Sequence, residues 1–334
     1  MPEPMDDLDK RILTAMQADL PVAARPFDAL AERMDLAPGD LLARVRRMAE
    51  GGLIRRIGPV FDSQRLGYCS TLVAARVPPD RLEDVAERVN PLPGVTHNYE
   101  RRGRYNLWFT LTARSPEDLE TTLDRLRTDT GVAEMHSLPA LARYKIRATF
   151  NLTDSGAASS AAPPAEHPGE QAAVPLNEEQ RALVRALQDG LPVEAEPFAA
   201  TAERAGRPVE EIIEQVREWL DEGVVRRFGA VVRHRAAGVR ASAMAVFQVD
   251  AARIDAAGRT LAAHAEVTHC YRRPPLPDFP YTLYAMVHGE SEEAVRKRVG
   301  EMAGQVAAQV WDALFSGREF KKTSMRYFLE GGAS

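Results

Sequence analysis

An α+β architecture, written twice in tandem along one chain, is what this sequence predicts. Three observations carry that expectation. First, the chain repeats itself: Leu20-Pro21-Val22 recurs as Leu191-Pro192-Val193, Pro26-Phe27 as Pro197-Phe198, and Glu32-Arg33 as Glu203-Arg204, at one constant offset. Gly52-Leu53-Ile54-Arg55-Arg56-Ile57-Gly58 recurs at that offset as Gly223-Val224-Val225-Arg226-Arg227-Phe228-Gly229. Second, each copy opens with three helical patterns. Third, each copy then alternates strand and helix.

In the first copy, helical spacing covers residues 6–18, where Leu8, Ile12, Leu13 and Met16 share a face. A short second helix follows over 27–34. Pro38-Gly39-Asp40 supplies a turn and N-cap for a third helix over 39–50, and Gly51-Gly52 stops it. Residues 53–61 have the pattern of a strand pair or wing. Three helices and a wing predict a winged helix-turn-helix over residues 1–66. The chain continues as strand 70–77, helix 81–89 and the turn Pro91-Leu92-Pro93-Gly94. A hairpin of 95–100 and 105–113 follows, then helix 116–127 and a last strand within 132–150. That β-α-β-β-α-β order predicts a ferredoxin-like domain over 67–152. Residues 153–175 are rich in Ala, Ser, Pro and Gly and have the composition of a flexible linker. The second copy predicts a winged helix over 176–238 and a ferredoxin-like domain over 239–334.

Composition narrows the function. The chain has 334 residues, 45% hydrophobic and 27% charged, with a formal net charge of -5. That length implies two or more domains, and that charge does not suit a dedicated nucleic-acid binder. The two cysteines, Cys69 and Cys270, lack metal-ligand spacing and fit a reducing compartment. Residues 1–8 have no apolar core of signal-peptide length, and no apolar run approaches a membrane span. A cytoplasmic location is the expectation. A helix-turn-helix is ordinarily a DNA reader. Here the third helix of the first copy carries Arg44, Arg46 and Arg47, but its counterpart carries Glu210, Glu211, Glu214 and Glu218. Those carboxylates would repel phosphates, and a two-fold operator needs both helices. The helical domains are therefore expected to be scaffold, with DNA not the partner. No Walker P-loop, GxGxxG, CxxC or HExxH motif is present, so no nucleotide, flavin or tightly held zinc is expected.

This succession of domains resembles the Lrp/AsnC regulators over nearly the whole chain, in both halves. The resemblance implies ferredoxin-like sheets paired across a dimer axis, which a tandem chain forms within itself as an internal pseudo-dimer. Further homo-oligomerisation stays open.

The chemistry concentrates in one stretch and its copy. Val95-Thr96-His97-Asn98-Tyr99-Glu100-Arg101-Arg102-Gly103-Arg104-Tyr105-Asn106-Leu107-Trp108 packs a histidine, arginines and aromatics between two strand patterns. Val267-Thr268-His269-Cys270-Tyr271-Arg272-Arg273 and then Tyr281-Thr282-Leu283-Tyr284 repeat it. We take the two copies as two walls of one binding site. A histidine offers a ligand to haem-type iron or a proton near neutral pH. Arg101, Arg102, Arg104, Arg272 and Arg273 would bind carboxylates through charge-assisted hydrogen bonds. Tyr105, Trp108, Tyr281 and Tyr284 would give a flat wall for a planar ligand. Lys145 and Lys321, in matching last strands, are candidates for anion contacts. His136, His264 and His288 are expected to be structural.

Taken with Arg318-Glu319-Phe320-Lys321-Lys322-Thr323-Ser324-Met325-Arg326-Tyr327-Phe328, these two motifs resemble the two subunit signatures of the sirohaem decarboxylase family, here fused. The second signature departs from the family pattern in having Thr282 where Asn is expected. The resemblance implies a cytoplasmic lyase that removes carbon dioxide from the acetate side chains at C12 and C18 of sirohaem. The product, 12,18-didecarboxysirohaem, would feed haem d1 synthesis or the alternative haem pathway, with no cofactor beyond the iron-tetrapyrrole substrate. His97, His269 and Arg101 would be catalytic, and His97 or His269 could contact the substrate iron. Tyr99, Arg102, Arg104, Tyr105, Trp108, Tyr271, Arg272, Arg273, Tyr281, Lys145 and Lys321 would bind substrate. The other reading is a ligand- or haem-responsive Lrp/AsnC-type regulator.

Overall fold

The structure is a computed structural model that describes residues 5–146, 172–232 and 241–329. The expected linker therefore lies outside the described residues as far as 171. In the first half, helices α1 (Asp7–Ala18), α2 (Pro26–Arg33) and α3 (Pro38–Glu50) are followed by β1 (Ile54–Phe61), β2 (Cys69–Ala75), α4 (Leu82–Val89), β3 (Val95–Arg101), β4 (Leu107–Ala113), α5 (Pro116–Thr130), β5 (Met135–Pro139) and β6 (Ala142–Ile146). The second half gives α6 (Glu178–Leu187), α7 (Ala199–Ala205), α8 (Val209–Asp221), β7 (Val225–Val232), β8 (Ala241–Gln248), α9 (Ile254–Ala263), β9 (Val267–Arg272), β10 (Leu283–Gly289), α10 (Glu292–Gln305) and β11 (Val310–Lys322).

The repeat is visible down to the caps. Asp6 and Asp9 form a capping box at the start of α1, and Asn177 and Gln180 form the same box at α6. The wing differs from the expectation. Each half contributes a single strand, and β1 pairs antiparallel with β7 across the pseudo-two-fold, with Gly58 opposite Gly229. Neither half folds a wing hairpin of its own from these strands, because each satisfies its backbone groups on the other. The close approach needs glycine: a Cβ on Gly229 would sit 2.2 Å from Met16 O. The two helical domains interlock through symmetric bonds. Arg56 donates to Gln188 O at 2.8 Å and Arg227 to Gln17 O at 2.9 Å, and Leu20 N and Leu191 N donate to Phe228 O and Ile57 O. One apolar core, from Ile12 through Trp219 to Phe328, spans both domains.

The remaining strands form one nine-stranded sheet in the order β5-β2-β4-β3-β11-β8-β10-β9-β6. The halves join by exchanging the end of their last strands. β5 stays on β2, while β6 crosses to β9 of the second half. β11 pairs with β8 as far as Phe315 and with β3 from Ser316 onward. The swapped ends are anchored: the Tyr144 ring lies on Gly258 of α9, and its hydroxyl donates to Asp255 at 2.5 Å. Each half packs its helices on one sheet face, around Val95, Phe109 and Leu123 or around Phe247, Leu261 and Val299. A fourth core, holding Trp108, Tyr105, Phe279, Tyr284 and Leu314, fills the space on the opposite faces, where the halves meet. Among the described residues no helix is long and apolar enough to cross a membrane.

Candidate active site

Strand parity sorts the predicted residues. In β3, Val95 faces the helices and a register shift falls between Val95 and His97. From there His97, Tyr99 and Arg101 alternate with Asn98 and Glu100. His97 stands opposite Thr110 and Tyr99 opposite Trp108, so the triad lies on the Trp108 face, between the halves. β9 repeats this: His269 is opposite Met286 and Tyr271 opposite Tyr284, with Arg273 following. The rings stack alike, His97 on Tyr99 at 6.3 Å and His269 on Tyr271 at 6.3 Å. Thr96 Oγ1 lies 2.9 Å from His97 Nδ1, and Thr268 Oγ1 lies 3.0 Å from His269 Nδ1.

β3 and β9 are not neighbours in the sheet. The Trp108–Phe279–Tyr284 cluster fills the space between the halves. The triads are pseudo-symmetric copies, and each reaches the other half through its arginine. Arg101 donates to Leu314 O at 3.1 Å and Ser316 Oγ at 3.0 Å, and it approaches Met286 Sδ. Arg273 donates to Leu138 O. Their guanidinium groups also cover tyrosines, Arg101 over Tyr99 at 5.6 Å and Arg273 over Tyr271 at 4.9 Å.

Both arginines are costly in this setting. Arg101 is 6% exposed, and burial lowers its guanidinium to about 10, which still leaves it charged at neutral pH. Burial lowers Arg273 as well. Among the described residues neither has a carboxylate partner, and each keeps a buried Nε without an acceptor. The buried Tyr284 hydroxyl also lacks a hydrogen-bond partner among the described residues, and burial raises its pKa. A protein that buries cations without anions has places for anions from elsewhere.

Other predicted residues stand elsewhere. Arg102 is exposed and pairs with Glu292 of α10 at 3.0 Å. Arg272 is opposite Leu283, on the face of the second half's helical core. Arg104 pairs with Asp278, which also accepts from the Tyr105 hydroxyl at 2.9 Å. Burial and that bond push the Tyr105 phenol up to about 12. Tyr105 and Trp108 are nearly fully buried, with Trp108 Nε1 donating to Tyr105 O. Tyr281 packs edge-on against Phe279 at 4.6 Å. Lys321 Nζ donates to Asn90 O and Leu92 O, and Lys145 Nζ donates to His264 O. Both lysines thus close the C-terminal ends of helices α4 and α9. Asn106 bonds both backbone groups of Val77, whereas the Thr282 hydroxyl that replaces it in the second half is buried with no partner among the described residues.

Sequence reasoning passed over Phe279, whose loop carries no strand or helix pattern, and the threonines behind the histidines. The repeated Val-Thr-His was the signal for the threonines. Among the described residues no group of three or more His, Cys, Asp and Glu side chains is placed to hold a metal ion.

Residues 9–55 and 180–226 match the family described as "Siroheme decarboxylase NirDL-like HTH domain", and 65–145 and 236–321 match "AsnC-like ligand binding domain". A sirohaem decarboxylase of Hydrogenobacter thermophilus is 36% identical, over 97% of this chain and 96% of that protein. The chain belongs to the sirohaem decarboxylase family. Members also occur as separate subunits: the NirD subunit of Pseudomonas aeruginosa is 42% identical and aligns to 45% of this chain over 99% of its own length. A crystal structure of the sirohaem decarboxylase NirDL in complex with an iron-uroporphyrin III analogue covers 97% of this chain and 95% of its own, with a TM-score of 0.76 and 34% identity. The α+β tandem of helix-turn-helix and AsnC-like domains is therefore this family's fold.

Proposed function

We propose that this chain removes carbon dioxide from the C12 and C18 acetate groups of sirohaem, giving 12,18-didecarboxysirohaem for haem d1 or alternative haem synthesis. One observation carries the reading furthest. Two pseudo-symmetric His-Tyr-Arg triads end in arginines, Arg101 buried and Arg273 half-buried, that have no carboxylate partner among the described residues. Sirohaem is a planar polycarboxylate, and arginine forks on an aromatic floor match it. A relative that shares this fold over nearly its whole length was crystallised with an iron-uroporphyrin III analogue.

The chemistry assigns the parts. Loss of carbon dioxide breaks the bond between the methylene and carboxylate carbons. The electron pair stays on the methylene carbon, delocalised into the pyrrole, until a proton arrives there. Arg101 and Arg273 would hold carboxylates that stay. Tyr99 and Tyr271 keep each arginine flat and each histidine stacked. Thr96 and Thr268 engage Nδ1, which assigns the pocket chemistry of His97 and His269 to Nε2. One histidine delivers the proton; the other stands at the substrate iron or the second acetate. The iron-tetrapyrrole is the substrate, and the triads call on no further cofactor.

The regulator reading is weaker because the helices that would read DNA are occupied. Arg46 of α3 donates to Val193 O, and its counterpart Arg217 of α8 donates to Val22 O, so each grips the other half. Arg44 and Arg47 both bind the buried Asp9. Anaerobic incubation with sirohaem, followed by mass analysis of the tetrapyrrole, tests the proposal. Loss of two carbon dioxide units is expected, with His97→Ala and His269→Ala each impaired. Sirohaem bound without loss of mass would return the chain to the regulator reading.

A further inference from the structure

The two triads match in their first neighbours and differ one step further out. Behind His269, the contact through Thr268 continues. Thr268 Oγ1 lies 2.8 Å from His288 Nε2, and His288 Nδ1 lies 2.9 Å from Ser242 Oγ. Ser242 and His288 are direct cross-strand partners of β8 and β10. The same register in the first half pairs Ser70 with Thr112. A buried threonine stands there in place of the imidazole. Thr268 is 5% exposed, while Ser242 and His288 are half-buried, so the chain of contacts runs outward from His269.

We propose that Ser242, His288 and Thr268 form a proton relay that recharges His269. This makes His269 the proton donor of the pair and His288 its positioning residue. The inference rests on the decarboxylase reading above. Every link can point the same way: Ser242 Oγ–H to His288 Nδ1, His288 Nε2–H to Thr268 Oγ1, and Thr268 Oγ1–H to His269 Nδ1. That order leaves the ring proton of His269 on Nε2. When the methylene carbon keeps the electron pair of the broken C–C bond, it takes that proton. Nδ1 of His269 then takes the proton of Thr268, Thr268 takes one from His288, His288 takes one from Ser242, and water resupplies Ser242. Each pass thus delivers one proton and leaves both rings protonated on Nδ1, and exchange with water returns those protons to Nε2 before the next pass. One proton enters for each carbon dioxide lost, and no oxidant or reductant is involved. Two acetates need two protons, and a large planar ligand over the site would shut out water from the front. A path from behind answers that need. His97 has a threonine behind it and no imidazole at position 112, which suits it to the iron or to a carboxylate.

The test uses the full chain with sirohaem under anaerobic single-turnover conditions. His288→Gln keeps a polar side chain of similar size but does not take a proton at one end and release it at the other. The rate of carbon dioxide loss is expected to fall at least about 10-fold, a modest share of what general acid catalysis supplies. Mono-decarboxylated tetrapyrrole should accumulate, and sirohaem affinity by absorbance titration should stay within about twofold, since the relay lies behind the site and not against the ligand. Thr112→Val in the first half should change neither. An unchanged rate in His288→Gln overturns the relay. So does an equal loss of rate and affinity, which would make His288 a packing residue. If His288→Gln does not fold, Ser242→Ala takes its place: roughly threefold slowing at full affinity supports the relay, and the parent rate overturns it. If the parent chain itself releases no carbon dioxide, the decarboxylase reading fails and the relay falls with it, an outcome distinct from a defect confined to the variants.

Discussion

Replacing Arg101 with Met should leave the free protein about as stable as before while stripping it of tetrapyrrole affinity. The guanidinium is 6% exposed and falls from 12.5 to about 10 on burial. At about 1.4 kcal/mol per unit, keeping it charged costs the empty protein about 3 kcal/mol at neutral pH. Removing it relieves that cost and leaves Leu314 O and Ser316 Oγ without their donor. Those losses come to about 1–3 kcal/mol. The two terms nearly cancel, so the denaturation free energy should move by no more than about 2 kcal/mol, in either direction. Binding is different. A charge-assisted bond to a carboxylate is worth about 1.5–3 kcal/mol, so sirohaem affinity should fall roughly 10- to 150-fold. Urea denaturation of the empty protein and an absorbance titration with sirohaem measure the two quantities separately. Arg101→Lys should recover only part of the affinity, because a point charge does not reproduce the planar fork. A variant that loses most of its stability and binds sirohaem as well as the parent would refute this account and make Arg101 a structural strut.

Lys321→Met should destabilise the protein by about 1–2 kcal/mol through the loss of two backbone acceptors' partner, with sirohaem affinity unchanged in the same titration. Gly258→Ala puts a Cβ 2.3 Å from the Tyr144 ring and should cost about 2–4 kcal/mol by denaturation, since the swapped β6 strand must lift away. Tyr105, raised from 10.0 to about 12, contributes stability that is complete below pH 10 and lost as pH rises to about 12. Tyr105→Phe should remove that part of an alkaline unfolding curve followed by circular dichroism. Duplex DNA should show no sequence-specific shift in gel mobility at physiological salt; a specific complex would reopen the regulator reading.

What the sequence conveyed and what it withheld divide along a physical line. Periodicity and repetition are local, so the order of elements and the pairing of His97 with His269 were legible. The side of a strand that a residue faces is also local, and alternation from His97 already separates Tyr99 and Arg101 from Glu100 and Arg102. A cluster of like charges hid that: Arg272 and Arg273 look interchangeable in the sequence, yet only Arg273 shares the face of His269. Lys145 and Lys321 were correctly seen as a matched pair, but register shifts beside both alter the count along those strands. Their ammonium groups end on helix carbonyls of α4 and α9. The exchange of β6 and the end of β11 was not legible at all. A strand edge offers the same backbone donors and acceptors whichever half presents it, so the choice is made by what packs behind. Tyr144 over Gly258 makes that choice in one half. Phe320, packed against the core that holds Ala86, makes it in the other. The exchange also ties site to scaffold, because Ser316, the partner of Arg101, lies in the segment of β11 that crossed over. A half expressed alone would lack the other half's strand beside its triad. In this chain, fusion of the two halves keeps that strand always at hand.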